Sequence, residues 1–135
     1  MPKNLNKLIS KEDISATCVN VTAALVAGKL ANVISNSVFH YNLNQYNFVD
    51  HLIVGTGLGT LAYRKAGGGF KGLAIGLIAG TAFSLLWEPF ENKYVWKAEG
   101  EWWKSMDTLS DVAVVYAGNI AGFLAEKARA LRKKK

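Results

Sequence analysis

The residues best suited to chemistry are one histidine and two pairs of carboxylates, carried by three separate stretches of the chain. Asp50 precedes His51, Glu88 and Glu91 are three residues apart, and Asp107 and Asp111 are four apart. Residues at these spacings share one face of a helix, so each pair can point at a common partner. Imidazole and carboxylate groups are ligands of zinc, manganese and iron. We therefore predict a divalent-metal site formed by His51, Glu88 and Asp111.

The same carboxylates allow two other interpretations. Closely placed carboxylates cannot all ionise together, a property that suits acid–base catalysis or a proton relay. The candidate catalytic groups are Glu88, Glu91, Asp107 and Asp111. Alternatively, the acids are only structural, because aspartate caps helix N-termini and glutamate can pair with nearby lysines.

Long uncharged runs alternate with short polar stretches along the 135-residue chain, of which 50% is hydrophobic and 19% charged. Such runs predict hydrophobic helices joined by short connections. We predict an all-α chain that forms a single domain, residues 1–135. Its four helices are expected at 13–40, 48–65, 70–91 and 106–130.

These helices could cross a bilayer or pack as a soluble bundle. A span needs about 20 mainly apolar residues. The segment 70–90 meets this requirement best, since Lys71 and Glu88 are its only charges and lie near its ends. The first helix is expected to be the weakest span, because it contains Asn20 and Lys29. A lysine at mid-helix costs roughly 2.5–3.5 kcal/mol on insertion scales.

The distribution of the net charge of +6 favours the membrane. Cytoplasmic segments of membrane proteins collect lysine and arginine. With the N-terminus inside and four crossings, most cations fall on the inner side, in the N-terminal segment, the connection 64–71 and the basic tail 127–135. We predict a four-helix transmembrane bundle in the cell membrane, multi-pass, N-in and C-in, with His51 and the acid pairs at the outer face. A soluble bundle is the alternative.

Glycines recur at four-residue spacing in three of the predicted helices. The pairs and triplets are Gly55 and Gly59, then Gly72, Gly76 and Gly80, then Gly118 and Gly122. Small residues at this spacing let membrane helices approach closely. The glycine faces are expected to pack within the bundle, and a homo-oligomer through the same Gly-xxx-Gly faces is the alternative.

The connection between helices three and four is rich in aromatic residues. Its tryptophans and tyrosine are Trp87, Trp96, Trp102, Trp103 and Tyr94. Tryptophan and tyrosine favour the membrane–water boundary, so we predict an interfacial aromatic segment on the outer surface, in contact with the lipid bilayer. It could also cover the acidic site and admit a lipid-linked or envelope substrate. No nucleic-acid partner is expected, because the basic tail carries no aromatic side chain to stack on bases.

The order of these motifs resembles the YjdF/VanZ-like small membrane proteins. The resemblance is carried by Val49-Asp50-His51-Leu52, Trp87-Glu88-x-x-Glu91, Asp107-Thr108-x-x-Asp111 and Gly118-Asn119-x-x-Gly122. It covers roughly residues 48–125 and implies a polytopic helical membrane protein. Most members have no established molecular activity, and the VanZ branch is associated with glycopeptide resistance at the cell envelope. This chain lacks the arginine that usually follows the second glutamate in the VanZ pattern.

Three classes of function therefore stay open at this point. The first is a small membrane protein that acts at the cell envelope through its outer acidic and histidine cluster. The second is a proton-coupled or small-solute transporter, and the third is a structural membrane protein without catalysis.

Overall fold

The computed structural model describes residues 9–40, 42, 43, 48–91, 93 and 106–134. Four α-helices make up nearly all of this part of the chain, and it contains no β-strand. They are α1 Lys11–Phe39, α2 Phe48–Ala66, α3 Phe70–Phe90 and α4 Met106–Arg132. The predicted all-α, four-helix architecture is confirmed, and the predicted helix ends lie within about two residues of the observed ones.

Local sequence signals explain where several helices begin and end. Ser10 caps α1, since its hydroxyl accepts a hydrogen bond from the Asp13 N–H (3.1 Å) while the Asp13 carboxylate accepts one from the Ser10 N–H (2.8 Å). Such a capping box satisfies two backbone donors at once. α1 ends where His40 adopts the left-handed conformation, at φ 55°. Gly67, at φ 95°, turns the chain from α2 into α3.

Polarity is inverted between the surface and the interior of the bundle. Large apolar side chains are exposed along the outer faces of the helices, among them Val26, Leu30, Phe70, Ile78 and Leu86. Among the described residues, buried polar and charged side chains outnumber the buried apolar ones. Water would oppose this arrangement, whereas lipid accepts apolar side chains on the outside of a bundle.

Three helices are long and apolar enough to cross a membrane: α1, α3 and residues 108–132 of α4. α2 is not among them, so the expectation that the first helix is the weakest span is wrong. The reason lies in the composition of α2, since Asp50, Arg64 and Lys65 fall within its 19 residues. α2 also contacts each of the other three helices and buries residues along most of its length. A helix enclosed by other helices has little contact with lipid and does not need an apolar surface.

The closest helix–helix approach in the bundle is between α2 and α4, and glycines on both sides make it possible. A Cβ atom at Gly55 would overlap the Val115 carbonyl oxygen, and one at Gly59 would overlap that of Asn119. On α4, a Cβ at Gly122 would overlap the Thr56 carbonyl oxygen. The glycine faces of α2 and α4 therefore contact each other within a single chain. A homo-oligomer stays a prediction, and it would have to use other surfaces.

α3 packs onto this pair of helices along a face that starts with glycine. A Cβ at Gly76 would lie 2.6 Å from Oδ1 of Asn119, and one at Gly80 would lie 3.1 Å from Cγ1 of Val115. Ser84 and Glu88 continue the same four-residue spacing and are buried as well. The small residues thus hold α3 close enough for the Glu88 side chain to enter the centre of the bundle.

We predict that Gly59→Ala separates α2 from α4, because the new methyl group meets backbone that cannot move aside. Overpacking of this kind costs about 1–3 kcal/mol of unfolding free energy. The matched control is Gly57→Ala on the same helix, whose methyl group would lie an ordinary 3.7 Å from Cγ2 of Val21. Denaturation in detergent micelles measures the unfolding free energy of both variants. Equal stability of the two variants would contradict the close α2–α4 contact.

Candidate metal centre

His51 lies between two carboxylates that come from two other helices. Its Nε2 is 3.6 Å from Oε1 of Glu88 on α3, and its Nδ1 is 3.7 Å from Oδ1 of Asp111 on α4. The three side chains are almost wholly buried, at 3%, 1% and 1% exposure. The predicted convergence of His51, Glu88 and Asp111 is therefore found in the structure.

Glu91 completes a group of four potential metal ligands. One ligand atom from each of His51, Glu88, Glu91 and Asp111 lies within 4.8 Å of the others. Glu91 is buried at the end of α3, and its Oε2 accepts a hydrogen bond from the Trp87 indole N–H (2.9 Å). Trp87 is itself held by Phe83, whose ring stacks on it at 5.9 Å between centroids and 11° between planes. This indole fixes the direction of the Glu91 carboxylate.

The spacing of these atoms suits a small divalent cation. Nitrogen and oxygen ligands at 2.0–2.2 Å from zinc, in tetrahedral geometry, are about 3.3 Å apart. One ligand atom from each of the four residues lies within 4.8 Å of the others, so the side chains would close in by up to about 1.5 Å around an ion. Only one of the two ring nitrogens of His51 would bind that ion, since Nε2 faces Glu88 and Nδ1 faces Asp111. A donor set of imidazole and carboxylates is one that zinc, manganese and iron accept.

The charge of the cluster also favours a cation. Three buried carboxylates surround one imidazole, so full ionisation of the group would give it an excess of negative charge. Burial of uncompensated charge is costly, and a bound divalent ion offsets it. The arrangement can therefore hold a metal ion, or it can share protons among its carboxylates.

Other predicted residues have different positions. Asp50, next to His51, is exposed and outside the cluster, and His40 is exposed at the end of α1. The side chain of Asp107 and the aromatic segment 94–105, with three of the four tryptophans, lie outside the described residues. Their predicted roles stay predictions.

Polar groups continue from the cluster into the bundle interior. Ser84 and Asn119 are buried, and within the described part of the chain the Ser84 hydroxyl and both atoms of the Asn119 amide have no hydrogen-bond partner. Thr56 and Thr60 are buried on α2, and their hydroxyls donate to backbone carbonyls one turn earlier. Uncommitted polar atoms of this kind can hold water or a proton inside a bundle.

A second buried polar cluster lies at the opposite end of the bundle. It is not among the sites predicted from the sequence. Arg64 binds two carboxylates, with Nε 2.7 Å from Oδ1 of Asp13 and Nη1 3.1 Å from Oε2 of Glu126. Lys65 pairs with Asp13, and Arg129 pairs with Glu126. Asn20 joins the group through its amide nitrogen, which donates to Glu126 and to the Thr60 hydroxyl, each at 3.0 Å. This cluster ties α1, α2 and α4 together.

The spacing of residues contained a signal for this second cluster. Glu126 follows Gly122 by four residues, so it continues the face of Asp111, Gly118 and Gly122. Asp13, Ala16 and Asn20 lie on one face of α1 and are all buried. Both faces can be traced from helical periodicity, but the partners across the bundle cannot.

Comparison of the chain with protein-family models, with curated proteins and with solved structures finds no match in any of the three. The chemistry of the site is therefore inferred from its own ligand set: one imidazole and three carboxylates, from three helices.

We predict that Glu126→Gln destabilises the protein by about 1–3 kcal/mol, because it removes the carboxylate that pairs with Arg129 and one of the two carboxylates that pair with Arg64. Glu12→Gln is the control, since Glu12 lies at the same end of the bundle but is exposed. Thermal denaturation in detergent measures the difference. A loss as large for Glu12→Gln as for Glu126→Gln would show that general charge, and not the buried contacts, sets the stability.

Proposed function

We propose that this chain is a multi-pass cell-membrane protein that binds a divalent transition-metal ion and uses it to hydrolyse a lipid-linked or envelope substrate. The observation that carries the proposal is the approach of four ligand atoms within 4.8 Å of one another inside the bundle. They come from α2, from the end of α3 and from the start of α4, so only the assembled bundle brings them together.

The four residues divide into ligands and a proton acceptor in this proposal. His51, Glu88 and Asp111 would hold the ion, and three protein ligands are the number found in catalytic zinc sites. Such an ion, when bound, would supply a water molecule activated for hydrolysis. Glu91, whose carboxylate accepts a hydrogen bond from the Trp87 indole N–H, would take up the proton that this water releases.

The charge distribution supports an outward-facing site, with the N- and C-termini inside. Most of the described cations lie at the end of the bundle where α1 and α3 begin and where α2 and α4 end; this end is called the basic end below. The His51 cluster lies at the opposite end. The basic end corresponds to the cytoplasmic side by the positive-inside rule. We also propose that the chain is related to the YjdF/VanZ-like proteins, which its motif order resembles.

Metal analysis of the purified protein is the first test. We expect about one divalent transition-metal ion per chain, and we expect at least a tenfold loss of affinity in Asp111→Asn or Glu88→Gln, since each removes a ligand charge. Affinity should also fall as the pH is lowered, because bound ligands must be deprotonated. The absorption spectrum of the cobalt(II)-loaded protein in detergent reports the coordination geometry of the bound ion.

Asp50→Asn is the matched control for this test, because Asp50 is exposed and adjacent to His51 in sequence. It should bind metal as the wild type does. The absence of metal from wild-type protein loaded with zinc, manganese or iron(II) would overturn the proposal, and so would an equal loss in the Asp50 variant.

A proton-coupled or small-solute carrier is the second candidate, favoured by the buried polar groups of Ser84, Asn119 and Thr60 between the two ends of the bundle. In this case Asn119→Leu should abolish flux of protons or solute in proteoliposomes while metal binding at His51 persists. If proteoliposomes with wild-type protein show no more flux of protons or solute than empty liposomes, the carrier function is excluded. The hydrolytic proposal would be unaffected by that result.

A further inference from the structure

The basic end contains two adjoining clefts that share three cationic residues. One cleft, of about 280 Å³, lies between α2 and α4, and the other, of about 570 Å³, opens between α1 and α4. Arg64, Arg129 and Lys133 line both clefts, and Lys11 lines the larger one. Together the clefts form one basic groove, named here by those four residues.

The two arginines of the groove are held in place by buried carboxylates. Arg64 and Arg129 each contact the buried Glu126 carboxylate, and Arg64 also contacts Asp13. Their side chains keep 24% and 34% exposure, so part of each guanidinium group faces the groove. A guanidinium group presents five N–H donors in a planar fork, and two carboxylate contacts leave donors for a further anion.

Positive charge exceeds negative charge in and around the groove. The cations are Lys11, Arg64, Lys65, Arg129 and Lys133, and the acids are Glu12, Asp13 and Glu126. Both buried carboxylates are already paired with these cations. The excess positive charge is therefore available to an anion that enters from the open side.

The groove lies where the apolar lengths of α1 and α4 end. α1 begins at Lys11, and the apolar length of α4 ends at Arg132, so the charged groups are at the boundary of the apolar helix surfaces. Val19 lines the larger cleft, and Val26, two turns further along the same face of α1, is exposed. An anion at the groove with acyl chains attached could place them against these apolar residues.

From this geometry we propose that the groove of Lys11, Arg64, Arg129 and Lys133 binds the phosphate headgroup of an anionic phospholipid. Charge-assisted hydrogen bonds from arginine and lysine recognise the phosphate oxygens, and basic pockets between helices on the cytoplasmic side are suited to such headgroups. This binding does not depend on the metal site, which lies at the other end of the bundle.

The test measures retained lipid by native mass spectrometry of the full chain, delipidated in neutral detergent and titrated with phosphatidylglycerol or phosphatidylcholine. We expect one phosphatidylglycerol molecule per chain to bind at least tenfold more tightly than phosphatidylcholine. The double variant Lys11→Gln/Lys133→Gln should lose about tenfold of the phosphatidylglycerol affinity. Neither lysine forms an ion pair in the described part of the chain, so the variant keeps the contacts of Asp13 and Glu126.

The control is Lys71→Gln/Lys127→Gln, which removes the same charge from exposed positions at the basic end without touching the groove lining. This control variant should lose less than twofold of the phosphatidylglycerol affinity. Ser15→Glu, which adds an acid to the larger cleft, should weaken binding without removing any cation. Equal losses in the two lysine double variants would overturn the proposal, because they would show attraction to net charge alone.

Inorganic phosphate in a parallel titration separates the two sources of a phosphate group. Under the proposal, millimolar phosphate does not displace phosphatidylglycerol, because the acyl chains add apolar contact. Binding of inorganic phosphate that depends on Lys11 and Lys133, together with no preference for phosphatidylglycerol over phosphatidylcholine, would assign the groove to a soluble phosphate compound and overturn the lipid proposal.

Discussion

The backbone contact between α2 and α4 is the constraint on which the other features of the bundle depend. Gly55 and Gly59 on one helix, with Gly118 and Gly122 on the other, let carbonyl groups occupy space that side chains would otherwise fill. In lipid, where apolar side chains gain nothing by leaving the solvent, such close packing is a main source of helix association. His51 lies one turn before Gly55, and Asp111 two turns before Gly118, so the same contact that joins the helices also aligns the site.

Because the outside of the bundle is apolar, its interior carries the polar chemistry, and this chemistry differs between the two ends. At the basic end, arginine and lysine side chains neutralise Asp13 and Glu126, and the cluster stabilises the junction of α1, α2 and α4. In the His51 cluster three carboxylates share one imidazole. The first arrangement is structural and has an excess of cations, whereas the second favours a cation or shared protons. The physical difference between the ends is the sign of the uncompensated charge.

α2 shows how packing changes the meaning of hydropathy. Its small and polar residues, among them Gly55, Thr56 and Thr60, are buried, and the helix contacts three neighbours. α1, despite Asn20 and Lys29, is apolar enough along its length to face lipid, and Asn20 is accommodated by hydrogen bonds to Glu126 and Thr60. The prediction ranked α1 below α2 because of Asn20 and Lys29, and the ranking failed because α1 is long enough to contain an apolar stretch, whereas the 19 residues of α2 include Asp50, Arg64 and Lys65.

The sequence by itself determined the helices and their faces. Uncharged runs set the four helix ranges, and four-residue spacing aligned Gly55 with Gly59 and Glu88 with Ser84, because local periodicity needs no knowledge of partners. Positive-inside counting together with spacing was enough to predict that His51, Glu88 and Asp111 meet. Only the tertiary structure decided that the Trp87 indole donates a hydrogen bond to Glu91, that Asp50 stays outside the cluster, and that Asp13, Asn20 and Glu126 form a second cluster. Those contacts join residues far apart in sequence, and their geometry depends on helix rotation and close approach, which the spacing along one helix does not contain.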